Sequence, residues 1–178
     1  MPRVKCWQVD AFTNRPFAGN PAAICWLEQE ADPAWMQAVA AEMNLAETAF
    51  VRPLTDGHEL RWFTPVVEVD LCGHATLASA HTVWSAGLAD DSIPLRFQTR
   101  SGELTCTRSG DLIALDFPAL PPTPAVPPVN LLPALGIESA LYVGRTIYDY
   151  LVVVPSEAAV LAVRPDFRRL RDINMRGV

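Results

Sequence analysis

The stretch DLCGHATLASAHTVWSAGLA, Asp70–Ala89, decides how the chain folds. It opens as the end of a strand, Val66–Leu71, in which β-branched residues alternate with polar ones. Gly73 breaks that pattern and a helical one follows. Ala75, Leu77, Ala78, Ala80, Val83, Trp84 and Ala86 leave almost no polar face, and a helix apolar nearly all round is a buried helix. Gly87 is its expected stop. No residue from Leu71 to Ala89 carries a formal charge, but two His, two Thr, two Ser and two Gly make the segment too polar to cross a membrane alone. The spacing predicts a helix sheathed by sheet. Its first turn, Cys72 to Thr76, presents free N–H groups that can seat an anion.

Composition narrows what surrounds this helix. With 178 residues, half of them hydrophobic, the chain can build one domain, or one domain and part of another. A net charge of -6 and the lack of a basic run argue against nucleic acid as a partner. A small anionic substrate remains compatible, because one pocket can be positive in an acidic protein. The N-terminus shows no signal-peptide core, so a cytoplasmic location is expected. Cys6, Cys25, Cys72 and Cys106 match no zinc spacing, and neither metal nor cofactor is expected. Cys6, Cys25 and Cys106 read as small buried hydrophobes. Cys72 stands apart by its place beside the helix start.

Working outward, Val4–Phe12 and Ala22–Leu27 read as strands joined through the turns Thr13–Pro16 and Phe17–Pro21. Asn20 there either shapes the turn or points its amide at a ligand. Asp32 before Pro33 is a helix start, followed by a buried stripe of Trp35, Met36, Val39, Ala40 and Met43, with Asn44 as terminus. Leu45–Val51 is extended and apolar except for Glu47 and Thr48. Glu47 is either exposed at a helix-to-strand turn or desolvated enough for proton transfer. Glu59–Phe63, Ile93–Thr99, Gly102–Arg108 and Leu112–Phe117 are further strands. The last two are joined by a hairpin at Ser109–Asp111. Residues 119–128, rich in proline, read as a stiff linker between a first lobe, 1–118, and an incomplete second lobe, 129–178. In that second lobe Leu131–Leu135 and Asp166–Ile173 read as short helices, and Ala140–Val143 and Tyr150–Val154 as strands, too few to build a core.

Three stretches in order carry a resemblance: Val9–Phe12 with Gly19–Pro21, Met43–Phe50, and Asp70–Thr76. Together they resemble the phenazine biosynthesis PhzF-like family, which shares its fold with diaminopimelate epimerase and proline racemase. The resemblance implies an α/β (α+β) fold of two similar lobes, each a mixed sheet wrapped around a central buried helix, with the active site between them. It implies that Glu47 carries the proton in a cofactor-independent isomerisation. Asn20, Gly73 and His74 would line the site, and the amides of Gly73, His74, Ala75 and Thr76 would hold negative charge on a small carboxylate-bearing, amino acid-like substrate. The substrate that names the family is a dihydro-hydroxyanthranilate. His74 would orient the substrate or shuttle a proton.

Two departures keep alternatives open. Racemases and epimerases of the wider superfamily use a cysteine at this helix start, and a helix N-terminus lowers a thiol pKa, so Cys72 is an alternative base. Such enzymes need a second cysteine, and none follows Cys106. The Asp-Pro-X-Thr-Gly-Ser run that completes the family's site is also absent. A truncated, non-catalytic relic or binding protein is therefore a third reading. An uncovered Tyr150–Val154 strand predicts a homodimer, or other association through the incomplete lobe.

Overall fold

The computed structural model describes residues 3–178. The chain divides into two compact units, one ending at Phe117 and the other running Pro118–Val178. The first contains β1 (Lys5–Ala11), β2 (Asn20–Trp26), α1 (Pro33–Met43), β3 (Glu47–Pro53), β4 (His58–Phe63), β5 (Glu68–Val69), α2 (Gly73–Ser85), β6 (Leu95–Thr99), β7 (Gly102–Ser109) and β8 (Leu112–Asp116). Its sheet runs β1-β2-β3-β4-β6-β7-β8, with β5 added to β4. The β2–β3 and β4–β6 pairs are parallel and the others antiparallel, so the sheet is mixed.

The helix α2 packs against β1, β2, β3 and β8, strands from both ends of that order. Only a sheet curled around the helix allows this, and the fold is the mixed α/β architecture expected. Alternation along the strands supplies both faces. Ala22 and Ile24 of β2, Ala49 and Val51 of β3, and Leu60 and Trp62 of β4 meet Ala75, Ala78 and Val83 of α2. Their strand neighbours Cys25, Phe50 and Phe63 turn the other way onto Met36 and Ala40 of α1. Covering on both faces is why β2 and β3 read as continuous apolar runs.

A buried helix with four hydroxyl residues needs partners for them, and α2 finds them within itself. Thr76, Ser79, Thr82 and Ser85 donate to the carbonyls of Cys72, Ala75, Ala78 and His81, each four residues back. The hydroxyls thus cost no unpaired polar group in the core. For α1 the cap is as read: the Asp32 carboxylate accepts from the Ala34 N–H at 2.7 Å, and Asn44 closes the helix in the left-handed region.

Three local expectations change. The strand expected at Val66–Leu71 shrinks to Glu68–Val69, because the Thr64 hydroxyl accepts from the N–H groups of Val66 and Val67 and makes a turn of them. Cys25 and Cys106 are buried, but Cys6 is exposed, since it lies on the terminal strand β1. The second unit also builds more than two strands. It holds β9 (Thr123–Pro124), α3 (Leu131–Leu135), β10 (Tyr142–Arg145), β11 (Tyr150–Val153), α4 (Glu157–Ala162) and α5 (Phe167–Arg171).

Its sheet runs β11-β10-β9. Residues 123–124 of the proline-rich stretch are therefore an edge strand, where a missing N–H does no harm. Leu131, Leu135, Tyr150 and Ile173 form its core, with Val143, Val152 and Leu170 packed around them. The edge of β11 is partly covered: the Tyr150 N–H donates to the Gly177 carbonyl at 3.0 Å. Among the described residues no helix is long and apolar enough to cross a membrane.

Candidate active site

Strand alternation brings Glu47 to α2. Glu47 is two residues before Ala49 and four before Val51, so it shares their face, the one that packs on α2. At the start of α2, Cys72 occupies the cap with extended backbone and makes no side-chain cap hydrogen bond. His74 follows one residue into the helix. Its Nε2 lies 3.3 Å from the Glu47 carboxylate, with the imidazole buried and Glu47 one-fifth exposed. That contact is not aligned as a hydrogen bond, which leaves Nε2 free of a bonded partner. On its other side, Nδ1 stands 3.5 Å from the Cys72 Sγ. Carboxylate, imidazole and thiol therefore form one chain across the helix start.

The same three side chains could hold an ion. Glu47, Cys72 and His74 each offer a ligand atom, and these atoms lie within 4.8 Å of one another. Cys72 would first have to lose its proton, and its surroundings oppose that. Burial, with the nearby Glu47 charge, pushes the thiol up to about 12, although the amides of Ala75 and His74 pull the other way. A lowered thiol pKa is what a helix N-terminus alone would give. Here burial outweighs it.

The remaining candidates take different places. Gly73, His74 and Ala75 are the first three helical residues, whose N–H groups have no acceptor inside the helix. A Cβ at Gly73 would meet only the Phe117 ring, at 3.7 Å, so neither crowding nor a positive φ requires glycine there. Thr76 is fully buried, with its hydroxyl given to the Cys72 carbonyl. Asn20 heads β2 and is exposed. Ala22, two residues on, pairs with Glu47, so Asn20 lies one step outward on the same sheet face. A cleft of about 900 Å³ lies elsewhere, along Asp10, Phe12, Leu77, His81, Leu112 and Leu115, and includes neither Glu47 nor His74.

Residues not singled out in the sequence fix the helix start. Arg61 grips the Glu68 carboxylate through two hydrogen bonds, at 2.7 and 2.9 Å, and Arg100 adds a third contact at 2.6 Å. The Ser101 hydroxyl donates to the Asp70 carbonyl at 2.8 Å. Together these clamp the segment that delivers Cys72 and His74. Arg61 has a sequence signal in the alternation of charged and apolar residues in β4.

A family model described as phenazine biosynthesis-like protein, PhzC-PhzF, matches residues 9–178. An uncharacterized isomerase of Halalkalibacterium halodurans is 52% identical over 170 residues, which is 96% of this chain and 64% of that relative. The chain thus spans less than two thirds of that relative's length. The crystal structure of a PhzF-family phenazine biosynthesis protein from Enterococcus faecalis superposes with a TM-score of 0.85 at 36% identity, covering 97% of this chain and 65% of that one. A predicted epimerase from Pseudomonas aeruginosa shares the fold at 22% identity, with a TM-score of 0.70 over 96% of this chain and 66% of its own.

Proposed function

The chain belongs to the phenazine biosynthesis-like PhzC-PhzF family, and on that premise we propose that it is a cofactor-independent isomerase in which Glu47 moves a proton on a small, carboxylate-bearing substrate. The observation that carries this reading is the Glu47 carboxylate 3.3 Å from the His74 imidazole at the open start of a buried helix. A proton shift next to a carboxylate needs one group to accept and return the proton. It also needs donors for the negative charge that develops, and the N–H groups of Gly73 to Ala75, at the positive end of the helix dipole, supply them. His74, whose Nε2 has no hydrogen-bonded partner, orients the substrate or shuttles the proton beside Glu47, and Asn20 reaches the substrate from the head of β2. The name of the Halalkalibacterium halodurans relative, an isomerase, supports the reaction class.

A second reading, thiol-based epimerisation by Cys72, rests on its Sγ lying 3.5 Å from His74 Nδ1. The raised thiol pKa stands against it. Alkylation does not separate the two readings cleanly, because Cys6 is exposed and reacts as well. Substitution does. With a dihydro-hydroxyanthranilate as probe, Glu47→Gln should lower kcat by roughly 100-fold or more, the worth of a general acid/base, while Cys72→Ser keeps most activity. The opposite pattern would assign the proton to Cys72. For assembly, we propose pairing of two copies through the edge of β11, where Leu151 and Val153 are exposed.

A further inference from the structure

On the outer face of the sheet, away from the Glu47–His74 chain, β1 and β2 place Cys6 directly opposite Cys25. Their Sγ atoms are 3.4 Å apart. A disulfide needs about 2.05 Å, so closing the pair takes the sulfurs roughly 1.4 Å nearer, within reach of small side-chain rotations on adjacent strands. The two thiols differ in their surroundings. Cys6 is exposed on the terminal strand, whereas Cys25 is buried among Met36, Ala40 and Phe50. Cys72 and Cys106 are both buried.

We propose that Cys6 and Cys25 are a reversible redox pair, in which Cys6 is oxidised first by a hydroperoxide and Cys25 resolves it to a disulfide within one chain. The Cys6 thiolate attacks the peroxide O–O bond, becomes a sulfenic acid, and the peroxide leaves as an alcohol or water. The Cys25 sulfur then attacks the Cys6 sulfur, expelling that oxygen as water and forming the S–S bond. The two thiols lose two electrons and two protons in all, and the peroxide gains them.

The environment suits this order of events. A hydrogen bond from Cys25 stabilises the Cys6 thiolate and, against the opposing effect of burial, holds its pKa down to about 7. The same bond and burial raise that of Cys25. A thiolate that is exposed beside a second sulfur is the usual character of a redox-sensitive cysteine. The bond would staple β1, one end of the curled sheet, to β2, whose first residue is Asn20.

Peptide mapping after treatment with hydrogen peroxide tests this on the reduced, purified chain. The expected product is a Cys6–Cys25 linked pair lighter by two hydrogens, with Cys72 and Cys106 still reduced, and dithiothreitol restores all four thiols. In Cys25→Ser the sulfenic acid should persist on Cys6 and be captured by dimedone. Oxidation of Cys6 straight to sulfinic acid in the unmodified chain, a link between two chains, or an unreacted Cys6 would each overturn the proposal. Mapping of the unmodified chain decides by itself if Cys25→Ser does not fold.

Discussion

Glu47 and His74 meet at 3.3 Å although 26 residues separate them, because a strand start and a helix start open on the same side of one sheet. Glu47 is placed by the β alternation that buries Ala49 and Val51 against α2. His74 is placed by the helix that those residues bury. A change that rolls α2 within its sheet would part the pair without touching either side chain.

Gly73→Ala isolates ligand approach from folding. No crowding opposes the added methyl, and alanine is the better helix former. The urea midpoint should hold or rise. If the proposed substrate carboxylate docks on the first amide of α2, KM should rise roughly ten-fold, equivalent to about 1.4 kcal/mol, because the added methyl crowds that approach. An unchanged KM would remove that amide from the binding site.

Glu68→Gln tests the clamp on the helix start. It leaves the half-buried Arg61 without its charged partner, and should cost about 1–3 kcal/mol, read as a lower urea midpoint at constant slope. The kcat should fall as well, since Cys72 and His74 follow directly from this clamp. A lowered midpoint with full kcat would show that α2 holds its place without it.

How much of this was legible before the structure depended on the range of each signal. The helix α2 declared itself by unbroken apolar content, and α1 by Asp32, Pro33 and Asn44, all local. The convergence of Glu47 with His74 came from a resemblance, because no local pattern says which strand faces which helix. The Arg61–Glu68 clamp and the Cys6–Cys25 pair depend on strand register. Register across the turn between β1 and β2 follows from backbone geometry, including left-handed Phe12 and Phe17, that composition does not reveal. Helix α4 has a local signal as well: Ser156 stands before an alanine-rich turn, and its hydroxyl accepts from the Ala159 N–H at 3.1 Å.

His58 gives a pH signature. It is buried between the rings of Trp26 and Phe97, and burial holds its pKa below the ordinary 6.5. Well above pH 6.5 it is neutral folded or unfolded and has no effect on stability. As the pH falls below 6.5 the unfolded chain takes up the proton first, so stability drops. His58→Gln should flatten this part of the stability profile, measured by urea unfolding between pH 7 and 5. A profile of the same slope in the variant would place the pH sensitivity elsewhere.

Self-association through β11 predicts a dimer in sedimentation at micromolar concentration, weakened by a charge on its exposed face, as in Val153→Lys. A monomer at that concentration would contradict pairing of two copies through the β11 edge.

The central claim, that Glu47 carries the substrate proton, is tested most directly by exchange in heavy water. The protein is incubated in D₂O with a dihydro-hydroxyanthranilate and the carbon-bound protons are followed by NMR. The account predicts deuterium at the isomerised carbon with the unaltered chain and with Cys72→Ser, and none above background with Glu47→Gln. Deuterium incorporation that survives Glu47→Gln, or that is absent from the unaltered chain, would contradict it.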